Sequence, residues 1–302
     1  MSKAIIILGN GFDIDLGLKT RYSDFAKSSQ WAGLMMSNDN SQNNSMLLGF
    51  LKNKYDVNRW IDIEAALLEY AVRKTRTKDF AAAKEDAEDF ADLCGALKDY
   101  LKSQQDNFRP ETHTVAVEFL KGIADITGWS RLYSFNYTML NDIAGRFKIA
   151  MEISEQHIHG SLADDDDIIL GIETTENIDD RYTFLFKTQS RHYRHSDLLK
   201  DLKGKDEYVF YGHSLNGMDY AYFRDTFMSL AVGGRNTPRL TIITKDLASE
   251  NMFKIFLRNR GVSLQGLYSN ADPVFILTDL VYKHDSQEMK KVEDLLNRAS
   301  TW

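Results

Sequence analysis

The sequence predicts an α/β protein built on a mainly parallel, Rossmann-like sheet, with a large helical insertion after the first strand. Three observations carry this reading. A β-branched apolar run, Ala4-Ile5-Ile6-Ile7-Leu8, stops at Gly9-Asn10-Gly11 and leads into Phe12-Asp13, as a first strand does when it ends in a glycine turn before a helix. Strand-like runs at 131–135, 156–159, 168–170, 207–211 and 240–244 alternate with helical patterns at 139–149, 220–230, 250–258 and 287–298, the alternation of parallel strands joined by crossovers. Between the first two strands lies a stretch, roughly 22–126, whose segments 62–70 and 80–101 are rich in Ala, Leu, Glu and Lys, residues that favour helix. The simplest organisation is one Rossmann-like domain over 1–302 with this insertion inside it. Such an insertion would lie near the carboxyl edge of the sheet as a lid. The Asn- and Ser-rich segment 37–45 reads as a loop by composition.

Composition bounds the function. With 302 residues, 43% of them hydrophobic, the chain has ample material for a sizeable core. A net charge of −7 argues against a nucleic-acid partner, which needs a clustered basic face. The segment 187–205 holds Arg191, Arg194 and Lys200, but Asp197 and Asp201 dilute it, and it is expected to be a solvated surface helix. Cys94 is the single cysteine; it has no internal disulfide partner, and its apolar helical neighbours make it a core residue. The run 4–8 is shorter than the apolar region of a secretory leader, and no stretch reaches the ~18 apolar residues of a membrane span. A cytoplasmic protein with no membrane partner is expected.

Chemistry concentrates at the strand ends, on the carboxyl side where open α/β sheets bind ligands. In the first turn, Gly9 and Gly11 let the backbone approach a ligand closely, with Asn10 and Asp13 beside them; Asn-Gly is also an ordinary tight-turn dipeptide. After the second strand comes Ser134-Phe135-Asn136-Tyr137-Thr138. Asn136 suits a ribose hydroxyl or a water, or serves as a plain turn residue, and Thr138 suits a helix N-cap. The third signature is His157-Ile158-His159-Gly160-Ser161. Residues two apart on a strand share a face, so the histidines form a candidate metal pair, but no third ligand is identifiable by spacing, and no metal is expected. The acidic run 164–167 reads as a solvated loop. A histidine at a strand end suits a general base. The fourth signature is Gly212-His213-Ser214-Leu215, with Asp219 opening the next helix, where an acid accepts from a ribose hydroxyl or caps the helix. Glu64, with Trp60 and Asp62, is read as a helix-surface acid.

These residues resemble a known family. Gly9 to Asp13, followed by Leu16-Gly17-Leu18-Lys19-Thr20-Arg21-Tyr22-Ser23-Asp24-Phe25, is similar to the start of the AbiH family of bacteriophage abortive-infection proteins. Trp60-Ile61-Asp62-Ile63-Glu64, Ser134–Thr138, His157–Ser161 and Gly212–Leu215 continue the match in order. AbiH proteins in turn look like remote relatives of sirtuin-like domains of antiphage effectors, whose Asn and His cleave NAD. That resemblance implies Asn136 and His159 as the catalytic pair. It implies Gly9, Asn10, Gly11, Asp13, Gly212, Ser214 and Asp219 as nucleotide-binding residues, with Ser214 and Asp219 near the adenosine ribose. NAD would be a substrate, not a resident cofactor, and a second copy or a partner defence protein the macromolecular partner. The chain departs from the sirtuin-like pattern at Asn10, Phe12-Asp13 and Thr138. One cysteine precludes the four-cysteine zinc module of ordinary sirtuin deacylases.

On this reading the nicotinamide–ribose bond is hydrolysed. Asn136 orients the ribose or water, His159 acts as base, and the Gly9 and Gly11 amides donate to the pyrophosphate. Two other readings compete. Gly212-His213-Ser214-Leu215-Asn216 resembles the nucleophile elbow of α/β-hydrolases with Asn in place of the last Gly, and Asp272 or Asp279 with His284 would complete a triad. Alternatively, the fold is a nucleotide-binding sensor without catalysis.

Overall fold

A computed structural model describes residues 3–40, 46–58, 62–110, 114–126, 130–174, 176–193, 196–215, 218–234 and 237–302. Trp60, Ile61, Arg194, Asn216 and residues 41–45 therefore lie outside the described residues. The chain divides into two compact units: Met1–Leu18, Phe108–Ile158 and His195–Trp302 form the first, Lys19–Asn107 and His159–Arg194 the second.

The first unit holds a six-stranded, all-parallel sheet. Its strands are β1 (Ala4–Leu8), β2 (Arg131–Ser134), β3 (Glu155–His157), β4 (Glu207–Tyr211), β5 (Arg239–Thr244) and β6 (Val274–Leu277), in the order β3-β2-β1-β4-β5-β6. This is the doubly wound Rossmann order, which reverses direction between β1 and β4. All five residues of β1 and of β4 are buried, as expected of central parallel strands covered on both faces. Ile6, Leu8, Val209 and Tyr211 enter one cluster with Phe12, Phe119, Leu120 and Leu295; Ile5, Ile7, Tyr208 and Phe210 enter the other with Phe223, Phe227 and Phe253. The period of two along each strand thus feeds two cores.

Register brings the carboxyl ends level. Leu8 pairs with Ser134 and with Tyr211, and Ser134 with His157. At the opposite edge, Glu207 is buried and takes Arg298 at 2.9 Å and Trp302 Nε1 at 3.3 Å, which clamps the last helix, Ser286–Ala299, to the start of β4.

The second unit is helical. Its longer helices are Ser29–Asn40, Met46–Asn58, Ile63–Thr77 and Ala83–Asp106. Phe25, Trp31 and Tyr100 pack with ring centroids 5.5–5.6 Å apart. Asp86, wholly buried, accepts from Leu47 N (3.0 Å), Tyr70 OH (2.7 Å) and Tyr182 OH (2.9 Å), enough donors to offset desolvation of a carboxylate. Among the described residues of both units, no helix is long and apolar enough to cross a membrane.

Several local expectations are corrected. Residues 37–40 complete the helix Ser29–Asn40 rather than begin a loop. Helix Val115–Ile123, inside the expected insertion, packs with the sheet: Val115, Val117, Phe119 and Leu120 are buried in its core. The run 168–170 makes an isolated bridge, Gly160 to Ile168, and no strand; its isoleucines are buried, but no strand lies alongside to pair with them. The segment 187–205 is not one surface helix: Lys187 opens a short 3₁₀ turn and is buried, and Leu198–Asp201 is a separate short helix. Cys94 is half-buried, and desolvation pushes its thiol up to about 12, so it is not a reactive thiolate. Strand β6 and helix Leu264–Ala271 have no counterpart in the sequence reading; both are short, and Gly266 interrupts the helix pattern.

Gly212 sits at φ +64, and a Cβ there would lie 2.3 Å from Phe12 N. Gly212→Ala is expected to destabilise the protein by more than about 2 kcal/mol, read as a lower urea midpoint. Asp86→Ala, which strands a backbone N–H and two buried hydroxyls, is expected to cost about 3 kcal/mol in the same experiment.

Candidate functional site

The site in the sheet unit is built where the β1 turn meets the β4 turn. Gly9 N donates to Tyr211 O and Gly11 N to Gly212 O, both at 2.9 Å. A Cβ on Gly9 would lie 2.6 Å from His213 Cα, and one on Gly11 2.6 Å from Gly212 Cα. The glycines are thus required by this backbone-to-backbone contact. Their two amides are consumed by it, which overturns the expectation that they donate to a pyrophosphate.

The contact fixes helix Asn10–Asp15 and delivers Asp13 beneath the end of β2. Asn136 Nδ2 donates to Asp13 Oδ1 (2.7 Å) and to Gly9 O (3.1 Å). The carbonyl can only accept, so the orientation of the amide is determined. The Asn136 backbone is held as well: its N–H donates to Ser134 Oγ (3.2 Å), and its carbonyl accepts from His157 Nδ1 (2.9 Å). Asn136 is buried, and its Oδ1 makes no hydrogen bond with the described residues, which leaves a fixed acceptor at the strand end.

Asp13 is 2% exposed and also accepts from Thr138 Oγ1 at 2.7 Å. Desolvation pushes its carboxyl up to about 7; the hydrogen bonds from Thr138 and Asn136 oppose the rise, and nearby Glu155 adds to it. A buried acid that titrates near neutrality at a strand end marks a functional-site candidate. Thr138 is therefore not the helix N-cap. Met139 is the N-cap residue of helix Leu140–Arg146, and Glu155 Oε2 takes the Leu140 N–H at 2.9 Å. The same Oε2 lies 3.2 Å from His157 Nε2.

On the β4 side, His213 is buried against Phe135, ring centroids 4.5 Å apart. Its Nδ1 accepts from Leu215 N (3.1 Å), and its Nε2 lies 3.8 Å from Asp219 Oδ2. Asp219 precedes helix Tyr220–Val232 but its side chain does not cap it. Asn10 and Ser214 are exposed. The hydrolase reading loses its geometry: positive φ falls on Gly212 and Leu215, not on Ser214. Exposed His284 makes no hydrogen bond to Ser214.

His159 belongs to the second unit. The strand ends at His157, so the shared-face argument for a histidine pair does not apply. Among the described residues, no group of three or more His, Cys, Asp or Glu side chains could hold a metal ion. His159 Nε2 lies 3.4 Å from Lys187 Nζ, which is 3.0 Å from Glu64 Oε1. Glu64 thus pairs with a buried cation rather than facing solvent on a helix surface. In the acidic run, Asp164 and Asp165 are exposed as expected, whereas Asp166 accepts from Ser161 Oγ (2.9 Å) and Asp167 pairs with Lys98 (3.1 Å).

A family model described as bacteriophage abortive infection AbiH matches residues 5–237. The chain belongs to the AbiH family. The match spans the first four strands, ends just before β5 and includes every expected site residue of this AbiH protein. No curated protein matches it. Membership implies a role in phage abortive infection. Sequence reasoning missed Glu155, His157 and Lys187 as partners of site residues; Lys187 sits in a run that reads as solvent-facing, with no signal of its burial.

Asp13 provides a test of the sheet-unit site. Its raised value means that stability is fully present below the ordinary 3.8 and is lost as pH rises to about 7, by up to roughly 4 kcal/mol. Asp13→Asn mimics the neutral acid and should flatten this slope in urea titrations run across that window. An unchanged slope in the variant would reject Asp13 as its source.

Proposed function

We propose that this AbiH protein is an abortive-infection effector that binds NAD or a related nucleotide at the carboxyl edge of its sheet and hydrolyses the nicotinamide–ribose bond. The observation that carries the reading is Asn136: both hydrogens of its amide are tied to Gly9 O and Asp13, and its Oδ1 is left as an oriented acceptor. It stands at the end of β2, beside the β1–β4 reversal where doubly wound sheets take nucleotides. A ribose hydroxyl or a water is the donor that such an acceptor suits. In the reaction, water adds to the ribose carbon as the bond to the cationic nicotinamide breaks. Nicotinamide leaves neutral with the bonding electron pair, and the water gives up a proton. Asn136 orients the donor; the resemblance, not the geometry of the sheet unit, offers His159 as the base for the proton. Asp219 and exposed Ser214 remain candidates for the adenosine ribose.

One observation favours a second reading, nucleotide binding without cleavage: His159 Nε2 faces the Lys187 ammonium.

Purified protein incubated with NAD across a range of protein concentrations decides between them. Release of nicotinamide and ADP-ribose is expected from wild type, reduced about 10²–10³-fold in Asn136→Ala and about 10²–10⁴-fold in His159→Ala, in assays run below the melting temperature of each variant, which the lost buried contacts should lower. A steep dependence on protein concentration would mark activation by self-assembly. Saturable ADP-ribose binding without turnover carries the second reading. Neither turnover nor binding rejects both.

A further inference from the structure

The second unit holds a charged cluster that the family resemblance does not use. Lys187 side chain is 0% exposed, and the Glu64 side chain facing it 17%. Taking an ammonium wholly out of water costs several kcal/mol unless a counter-charge offsets it, and Glu64 Oε1 at 3.0 Å supplies one. The ammonium also contacts His159 Nε2, at 3.4 Å. An ammonium carries three donors and no acceptor, so the bond runs from Lys187 to the ring, and Nε2 is its acceptor. In a neutral imidazole that leaves the proton on Nδ1.

The backbone on either side of this contact is rigidly tied. Gly160 follows His159 at φ +73, where a Cβ would fall 1.9 Å from Asp167 O, and Ile169 N donates to His159 O at 2.7 Å. Gly171 lies at φ +148, where a Cβ would fall 2.4 Å from Leu185 O; Ile172 N donates to Leu185 O (2.8 Å) and Lys187 N to Ile172 O (3.2 Å). Both glycines are needed because the chain passes against itself at these points. Glu64 is in the first turn of helix Ile63–Thr77, capped by Asp62, which accepts from Ala65 N at 3.1 Å. Three segments distant in sequence are thus each fixed where their side chains meet.

We infer that Lys187, neutralised by Glu64, is a positioning residue that sets the tautomer and orientation of His159, with Glu64 in turn positioning Lys187. The functional weight of this inference rests on the proposed role of His159; the tautomer itself does not. It also narrows that role: with Nε2 engaged by the ammonium and the proton on Nδ1, the ring offers only a hydrogen-bond donor at Nδ1, and a base role requires Lys187 to release Nε2.

The test is the ¹⁵N–¹H correlation spectrum of the histidine ring nitrogens in full-length protein above neutral pH, with His159 assigned through His159→Gln. Wild type is expected to show the Nδ1–H form. Lys187→Met, close in volume and uncharged, should let the Nε2–H form appear, and Glu64→Gln should shift the His159 resonances with the Nδ1–H form retained. Lys187→Arg, which restores a cation and a donor, should return the wild-type form. If wild type carries its proton on Nε2, or if Lys187→Met leaves the tautomer unchanged, the inference is overturned. The wild-type spectrum decides this even if Lys187→Met fails to fold, and even if the protein cleaves no NAD. Where wild type does cleave NAD, Lys187→Met should lower turnover about 10²-fold with partial rescue by Lys187→Arg. Full turnover in Lys187→Met would also overturn the positioning role.

Discussion

The backbone contact between the β1 turn and the β4 turn is the constraint on which the sheet-unit site depends. Gly9 and Gly11 donate to the carbonyls of Tyr211 and Gly212, at separations that no Cβ would allow. Because the two turns touch, the helix after β1 enters at one fixed angle and its fourth residue, Asp13, is driven into the protein. Asp13 then holds Asn136 and Thr138. One steric requirement, the absence of three side chains, thereby propagates into the orientation of an amide at the end of the neighbouring strand. The glycine signature of a first Rossmann turn is commonly taken as a mark of close ligand approach. Here the close approach is made by the protein's own backbone, and the amide of Asn136 is the polar group that this contact orients.

Asp13 illustrates how a site and the stability of the fold draw on the same free energy. Its burial costs enough to hold the carboxyl near neutrality despite two short hydrogen bonds. A residue kept only for stability would be better as an apolar group or an amide. Keeping an acid there makes the Asn136 environment responsive to pH in the physiological range. Glu155, whose carboxylate takes the first N–H of helix Leu140–Arg146, and His157 lie beside it on β3.

The buried Lys187 in the second unit follows a similar logic. An isolated cation in that position would be strongly destabilising, and Glu64 and His159 account for its retention. The helix-surface role expected for Glu64 and the solvent-facing role expected around Lys187 both follow from local composition. Both give way because the pairing joins residues more than a hundred positions apart.

The sequence by itself determined the fold class, five of the six strands to within a few residues or less, the helices Ile63–Thr77 and Ala83–Asp106 in part and the family, because these are written in local periodicity, helix propensity and glycine punctuation. It also singled out Asn136 and Asp13 as polar groups at strand ends. What only the tertiary structure decided was what those groups touch. The glycine amides are spent on β4 rather than left for a phosphate. Thr138 serves Asp13 while Glu155 caps the helix from another strand, and the isoleucines of 168–170 are buried without forming a strand. Helix Val115–Ile123 joins the sheet although it reads as part of the insertion. Each outcome turns on a partner supplied from far along the chain, and a hydrogen-bond partner or a neighbouring strand leaves no mark on the spacing of the residues that it satisfies.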